Sequence, residues 1–147
     1  MTPRLVFWFA FIATLTFGAF VWVLLLAPAR AAEPWDATDK VLGATALAFT
    51  VADWAQTRYI AQNPCINAGG GTDCADPYRE VGLARHFIGE RPTTGQVDRY
   101  FTGVLVAGAL AAHYLPSAYR KGFLGGITLI ELSVVAHNRR IGLRMEF

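Results

Sequence analysis

The sequence predicts an all-α integral membrane protein, a helical bundle of four transmembrane segments, or three if the first is a cleaved signal peptide. Three observations carry this expectation. The 147 residues are 54% hydrophobic and only 16% charged, whereas about a quarter of a soluble domain is charged. The runs Leu5 to Ala29 and Tyr100 to Tyr119 hold no charged residue, and about 20 apolar residues suffice to cross hydrocarbon. Val41 to Gln56 and Gly122 to Asn138 are each interrupted by one acid, Asp53 and Glu131. So much apolar chain leaves no room for a separate soluble domain, and residues 1–147 read as one domain of a bacterial inner membrane.

The first segment, residues 5–28, follows Arg4 and allows two readings. Ala29-Arg30-Ala31 fits the small-x-small pattern before a signal-peptide cleavage site. The apolar run is longer than a signal core, and Trp8 and Trp22 stand near its ends as aromatic belts do in a retained signal anchor. The second segment, 38–60, starts after Asp36 and Thr38, either of which can cap free N–H groups, and stops before Asn63-Pro64. The third, 94–115, opens on the capping box Thr93-Thr94-Gly95-Gln96 and ends at Pro116. Ser117 offers a cap to the fourth, 117–141. The short turn at Pro116 predicts that segments three and four form an antiparallel hairpin.

Residues 61–93 are a polar connection. Its first half is rich in Gly, Asn, Asp and Pro and reads as loop. Near 78–90 the pattern predicts a short amphipathic helix, with Val81, Leu83, Ala84, Phe87 and Ile88 on one side. Arg79, Arg85 and His86 fall on the other, suited to an interfacial position beside lipid phosphates or to packing on the ends of the spans. Arg91 adds a further interfacial cation.

Two features disagree about which side this connection faces. With the N-terminus inside, Arg4, Arg58, Arg79, Arg85, Arg91, Arg99, Arg139, Arg140 and Arg144 are cytoplasmic, against Arg30, Lys40, Arg120 and Lys121 outside. The positive-inside rule therefore places the connection in the cytoplasm. Cys65 and Cys74, the only cysteines, sit within it as a possible disulfide, which would need an oxidising compartment. They serve equally well as free thiols.

The functional clue is polar chemistry inside apolar segments, because an intramembrane acid must face protein or water. Asp53, Gln56 and Thr57 share one helix face, as do Thr128, Glu131 and Asn138. His113 and His137 lie near the ends of segments three and four. Such a cluster could fix helix packing by hydrogen bonds, relay a proton, or act as general acid and base. Small residues at Ala44, Ala48 and Ala52, at Ala107/Ala111 and Gly108/Ala112, and at Gly122/Gly126 permit close helix contact. The net charge of +2 without a basic stripe gives no reason to expect nucleic acid. No nucleotide-binding, metal-ligand or nucleophile motif occurs, so no metal or cofactor is expected.

At Asp53-Trp54-Ala55-Gln56-Thr57, Gly89-Glu90-Arg91-Pro92 and Tyr100-Phe101 the chain resembles small uncharacterised bacterial and prophage multi-pass membrane proteins. Those combine a D-x-x-Q-T helix, a G-x-x-P connection and a Y-F helix start, and the likeness covers roughly residues 40–141. It implies a multi-pass fold and no particular activity. The expectation is a non-catalytic accessory or self-associating membrane component, in contact with lipids and with a homo-oligomer or membrane-protein partner. The alternative is a proton-linked carrier or membrane-embedded enzyme using Asp53 and Glu131.

Overall fold

The structure, a computed structural model, describes residues 33–67, 71–72, 74, 77–80, 84–143 and 145. Residues 5–28, and with them the choice between signal peptide and anchor, lie outside the described residues. What is described is all-α: helix α1 (Ala37–Gln62), the single turn α2 (Ala84–Ile88), α3 (Thr94–Tyr114) and α4 (Ser117–Arg140). Among these residues the only extended pairing is an isolated bridge between Ile66 and Thr72. No described helix is long and apolar enough to cross a membrane.

Local chemistry explains each helix boundary. Asp36 caps α1, accepting from the Asp39 N–H at 2.8 Å while the Asp39 carboxylate accepts from the Asp36 N–H at 3.3 Å. Thr38 is inside the helix. The α1 terminus is closed by Asn63, whose N–H and side-chain amide both reach the Tyr59 carbonyl. Thr93 and Gln96 make the reciprocal box that their spacing suggests, satisfying free N–H groups at the start of α3. Ser117 does not cap α4. Pro116 occupies the cap position without a side-chain bond, and the Ser117 N–H instead donates to the Glu33 carboxylate at 2.9 Å. At the far end Gly142, with φ +84°, reverses the chain. The Leu143 N–H then reaches Asn138 O and the Gly142 N–H reaches Arg139 O, both free helix-end carbonyls.

The connection departs from the amphipathic helix expected near 78–90. Only five residues are helical, and Gly89, also at φ +84°, stops them with its N–H on Arg85 O. Phe87 is 74% exposed while its neighbour Ile88 is buried. Arg79 and Arg85 both pair with Glu90 rather than forming a free basic face. Val81 and Leu83 lie outside the described residues.

The packing also differs from a simple hairpin. The turn at Pro116 is short, yet α3 and α4 barely touch, and each packs mainly against α1. A Cβ placed on Gly122 or Gly126 would meet nothing within 4 Å. That strip of α4 is therefore not the close contact within the chain that its spacing suggests. Trp35 makes the tightest approach, since a Cβ on Gly43 would stand 2.8 Å from its ring.

The turn end of the bundle is organised by Arg120, which the sequence reading placed among ordinary flanking cations. Its side chain and that of Asp39 have zero exposure and pair at 3.0 Å. The guanidinium also donates to Leu115 O and Glu33 O and lies 5.3 Å from the Trp35 ring. One cation thus gathers the N-terminal approach, the start of α1, the α3–α4 turn and α4. Lys121 reinforces this outside by bonding Asp36 at 2.7 Å, which holds the Asp36 carboxyl below the usual carboxylate range.

Removing one partner of a buried pair leaves an uncompensated charge, at a cost of about 3–5 kcal/mol. Arg120→Met should therefore lower thermal stability strongly, and adding Asp39→Asn should recover much of the loss. Paired melting curves of the single and double variants check this. Equal melting of both variants would mean that Asp39 tolerates isolation.

Candidate functional site

The polar cluster forms at the opposite end of the bundle, where α1 meets α4. Gln56 is buried on the α1 face that turns toward α4, and Thr57 is buried next to it in the chain. Asn138, one turn before the end of α4, donates to Gln56 Oε1 at 3.1 Å and lies 3.5 Å from Asp53 Oδ1. Gln56 in turn donates weakly to Val135 O at 3.4 Å. Asp53 and Glu131 complete the array, their carboxyl groups near enough to interact electrostatically. Two carboxyl groups brought together in this way repel when both are ionised.

Sequence spacing therefore groups Asp53, Gln56, Glu131 and Asn138, which the structure brings to one helix–helix interface. It does not locate the histidines. His113 is exposed and stands edge-on to Tyr114 near the turn, and His137 is exposed on the outer side of α4. Neither joins the carboxyl pair. Thr128 bonds Leu124 O within its own helix. Arg91 is exposed.

Three further residues approach the cluster: Tyr78, Glu80 and, from the Y-F helix start, Tyr100. Tyr100 of α3 feels the charges of Glu131, Asp53 and Glu80. Tyr78 feels Glu80 and Asp53, and burial first of all pushes its hydroxyl up to about 12. Glu80 is almost buried, and its N–H bonds Glu90 O at 2.9 Å. The connection thus folds back over the end of the α1–α4 interface. The available signal was an acid between two tyrosine-bearing segments, which is too common a pattern to single out.

A second layer fixes this end. The Trp54 indole donates to Asp98 at 2.8 Å, and Arg58 lies 3.5 Å from the same carboxylate oxygen. Trp54 stacks on Phe101 with ring centroids 6.0 Å apart, and Tyr100 meets Phe101 edge-on. Two of the motif pieces, 53–57 and 100–101, therefore meet in space, through Trp54, Tyr100 and Phe101 around the apolar core of Ile88, Val97 and Phe101. Cys65 and Cys74 are joined by a disulfide, with Cα atoms 4.3 Å apart. Beside it, Ile66 packs with Ile60 and Leu143.

The chemistry open to this array is proton sharing and amide hydrogen bonding. Among the described residues no group of three His, Cys, Asp or Glu side chains is placed to hold a metal ion. Comparison with protein-family models, curated proteins and solved structures found no match.

Asn138 is the member whose loss strands the most partners. Asn138→Leu should cost about 1–3 kcal/mol by leaving Gln56 and Asp53 under-bonded in an apolar setting. Asn138→Gln, which keeps the amide, should cost less. Denaturation of both variants checks the ranking, and equal losses would assign the effect to packing volume alone.

Proposed function

We propose that this chain is a non-catalytic component of a membrane, a helical bundle that holds its polar groups inside and offers lipid its apolar side chains. The supporting observation is the direction of the side chains. Asp39, Thr50, Gln56, Thr57, Arg120 and Asn138 are buried, whereas Leu129 and Ile130 are 69% and 62% exposed. Val41, Val106 and Leu110 are also exposed. Soluble monomers rarely leave contiguous apolar patches beyond a few hundred Å² uncovered. Gln56 and Asn138, which are buried, and Asp53 and Glu131, which are half-buried, lower the mean hydropathy of α1 and α4. Lipid judges a helix by its outer surface, and intramembrane polar groups are expected to face the bundle interior.

The disulfide bears on orientation. A covalent bridge persists in an oxidising compartment, which tells against the cytoplasmic placement that the arginine count gives. Arg58, Arg79 and Arg85 each have an acidic partner, so several of the counted cations belong to local ion pairs. We place the connection on the oxidising side, with Glu33 and the α3–α4 turn on the other. The open strip at Gly122 and Gly126 suits close approach by another helix, from a second copy or a partner membrane protein.

One observation favours a second reading. Glu131 lies near Asp53 and also lines the crevice between the helices, as a group that exchanges protons in a carrier would. The two readings part on isosteric amides. Under the structural role, Asp53→Asn and Glu131→Gln keep the hydrogen bond and change stability by less than about 1 kcal/mol, and both complement a deletion strain. A folded, inserted amide variant that fails to complement moves the assignment to proton transfer.

The membrane assignment itself is tested by fractionation. The full chain should remain in membranes washed with alkaline carbonate and leave only with detergent. Thiol trapping in intact cells should find Cys65 and Cys74 blocked until a reductant is added. Recovery of the untreated chain in the soluble fraction would overturn the assignment, and free thiols in freshly trapped cells would reverse the orientation.

A further inference from the structure

A crevice of about 360 Å³ runs along one side of the bundle, between α3 and α4 with α1 as its floor. It extends from Gly43 to Thr50 on α1 and from Leu124 to Glu131 on α4, about 10 Å in each case at 1.5 Å per residue. Small residues such as Gly108 and Ala112 keep it open, and a Cβ on Gly108 would meet nothing within 4 Å. Trp35 lines one end. The other end is polar, and Glu131 there is the single charged group of the lining.

The bundle leaves this polar end short of partners. Ion pairs among the described residues take up Asp36, Asp39, Glu90 and Asp98, and none reaches Glu131 or its acidic neighbour Asp53. Negative charge in the crevice therefore has no counter-ion among the described residues. Thr50 is 3% exposed and also lines the crevice, yet its hydroxyl has no hydrogen-bond partner among the described residues. Thr45 and Thr128, by contrast, bond the Val41 and Leu124 carbonyls of their own helices. An acceptor charge and a free hydroxyl thus stand together at the end of an otherwise apolar slot.

We infer that the crevice binds a lipophilic amine, a hydrocarbon chain with one protonated amino group, its ammonium at Glu131 and Thr50 and its chain directed toward Trp35. An ammonium carries three donors, enough for the Glu131 carboxylate and the Thr50 oxygen together. Its charge complements the acid, and bonds of this charge-assisted kind are roughly twice as strong as neutral ones. The hydrocarbon meets apolar walls, as ligands do in small-molecule pockets of roughly 300–1,000 Å³. Size argues against a helix, because one about 10 Å across would fill roughly 800 Å³ over the same length. A phospholipid could lend the slot an acyl chain, but its phosphate brings no charge that suits Glu131. The inference goes beyond the structural role proposed above and rests on the membrane reading only in that the ligand enters from lipid.

Equilibrium binding of dodecylamine to the purified full chain in phosphatidylcholine nanodiscs tests this, with empty discs subtracted. Saturable binding is expected, and dodecanol, which has the same chain without the charge, should bind about tenfold more weakly. Glu131→Gln should weaken amine binding by about tenfold or more, and Thr50→Val severalfold. Gly108→Leu, which fills the crevice, should abolish binding. Melting curves accompany each variant, and the isosteric Glu131→Gln decides the matter if Gly108→Leu unfolds. No saturable binding, equal binding of dodecanol, or unchanged affinity in folded Glu131→Gln would each overturn the inference. So would a dimer that Gly108→Leu separates with no amine bound, which gives the crevice to a second copy. Failure of the membrane reading shows separately, as recovery of the chain in the soluble fraction.

Discussion

The bundle depends on a guanidinium removed from water. Arg120 and Asp39 are both fully buried, and each would be costly to bury alone. The pair is tolerable because the remaining donors of Arg120 find carbonyls of Leu115 and Glu33, and because Trp35 lays its ring near the cation. The groups recruited to satisfy Arg120 come from the approach at Glu33 and Trp35, the start of α1 at Asp39 and the end of α3 at Leu115. The desolvation problem of one side chain therefore fixes where the chain reaches α1, how α1 meets α4, and where the turn after α3 must lie. Asp39 serves twice, since it also completes the α1 capping box.

The two ends of the molecule are held by different physics. At the turn end the restraints are ionic and converge on one residue. At the other end they are distributed. Asn138 and Gln56 bridge α1 and α4, Trp54 and Arg58 hold α3 through Asp98, and the disulfide and the Ile60–Ile66–Leu143 cluster tie down the connection. Between these ends α1 is in contact with both other long helices, whereas α3 and α4 stay apart. The crevice is a consequence of that arrangement rather than of any missing side chain.

Much of this was legible in the sequence where local chemistry decides the outcome. The Thr93–Gln96 box, the stop at Asn63-Pro64 and the i, i+3, i+4 grouping of Asp53, Gln56 and Thr57 depend on residues close in the chain, and helix geometry then dictates the face. What the sequence concealed depends on distant partners. Arg120 reads as a flanking cation until Asp39 and Glu33 are brought beside it. Glu80 and Tyr78 read as loop until the connection folds over the α1–α4 interface. The short helix near 78–90 reads as amphipathic because its period is right, but Gly89 ends it early and Glu90 neutralises its cations. The histidines were drawn toward the acids by residue type alone, and helix phase sends both outward.

The contact of Leu143 with Ile60 and Ile66 carries a topological consequence. It fixes the end of α4 and the disulfide loop at the same pole, while Glu33 and Pro116 are fixed at the other by Arg120 and Ser117. Three rods joined in this way have definite parity: whatever surrounds the belt of Leu110, Leu129 and Ile130, residue 33 and residue 143 emerge on opposite sides of it. A label at residue 33 therefore marks the pole of the α3–α4 turn, and one at residue 143 marks the pole of the disulfide loop.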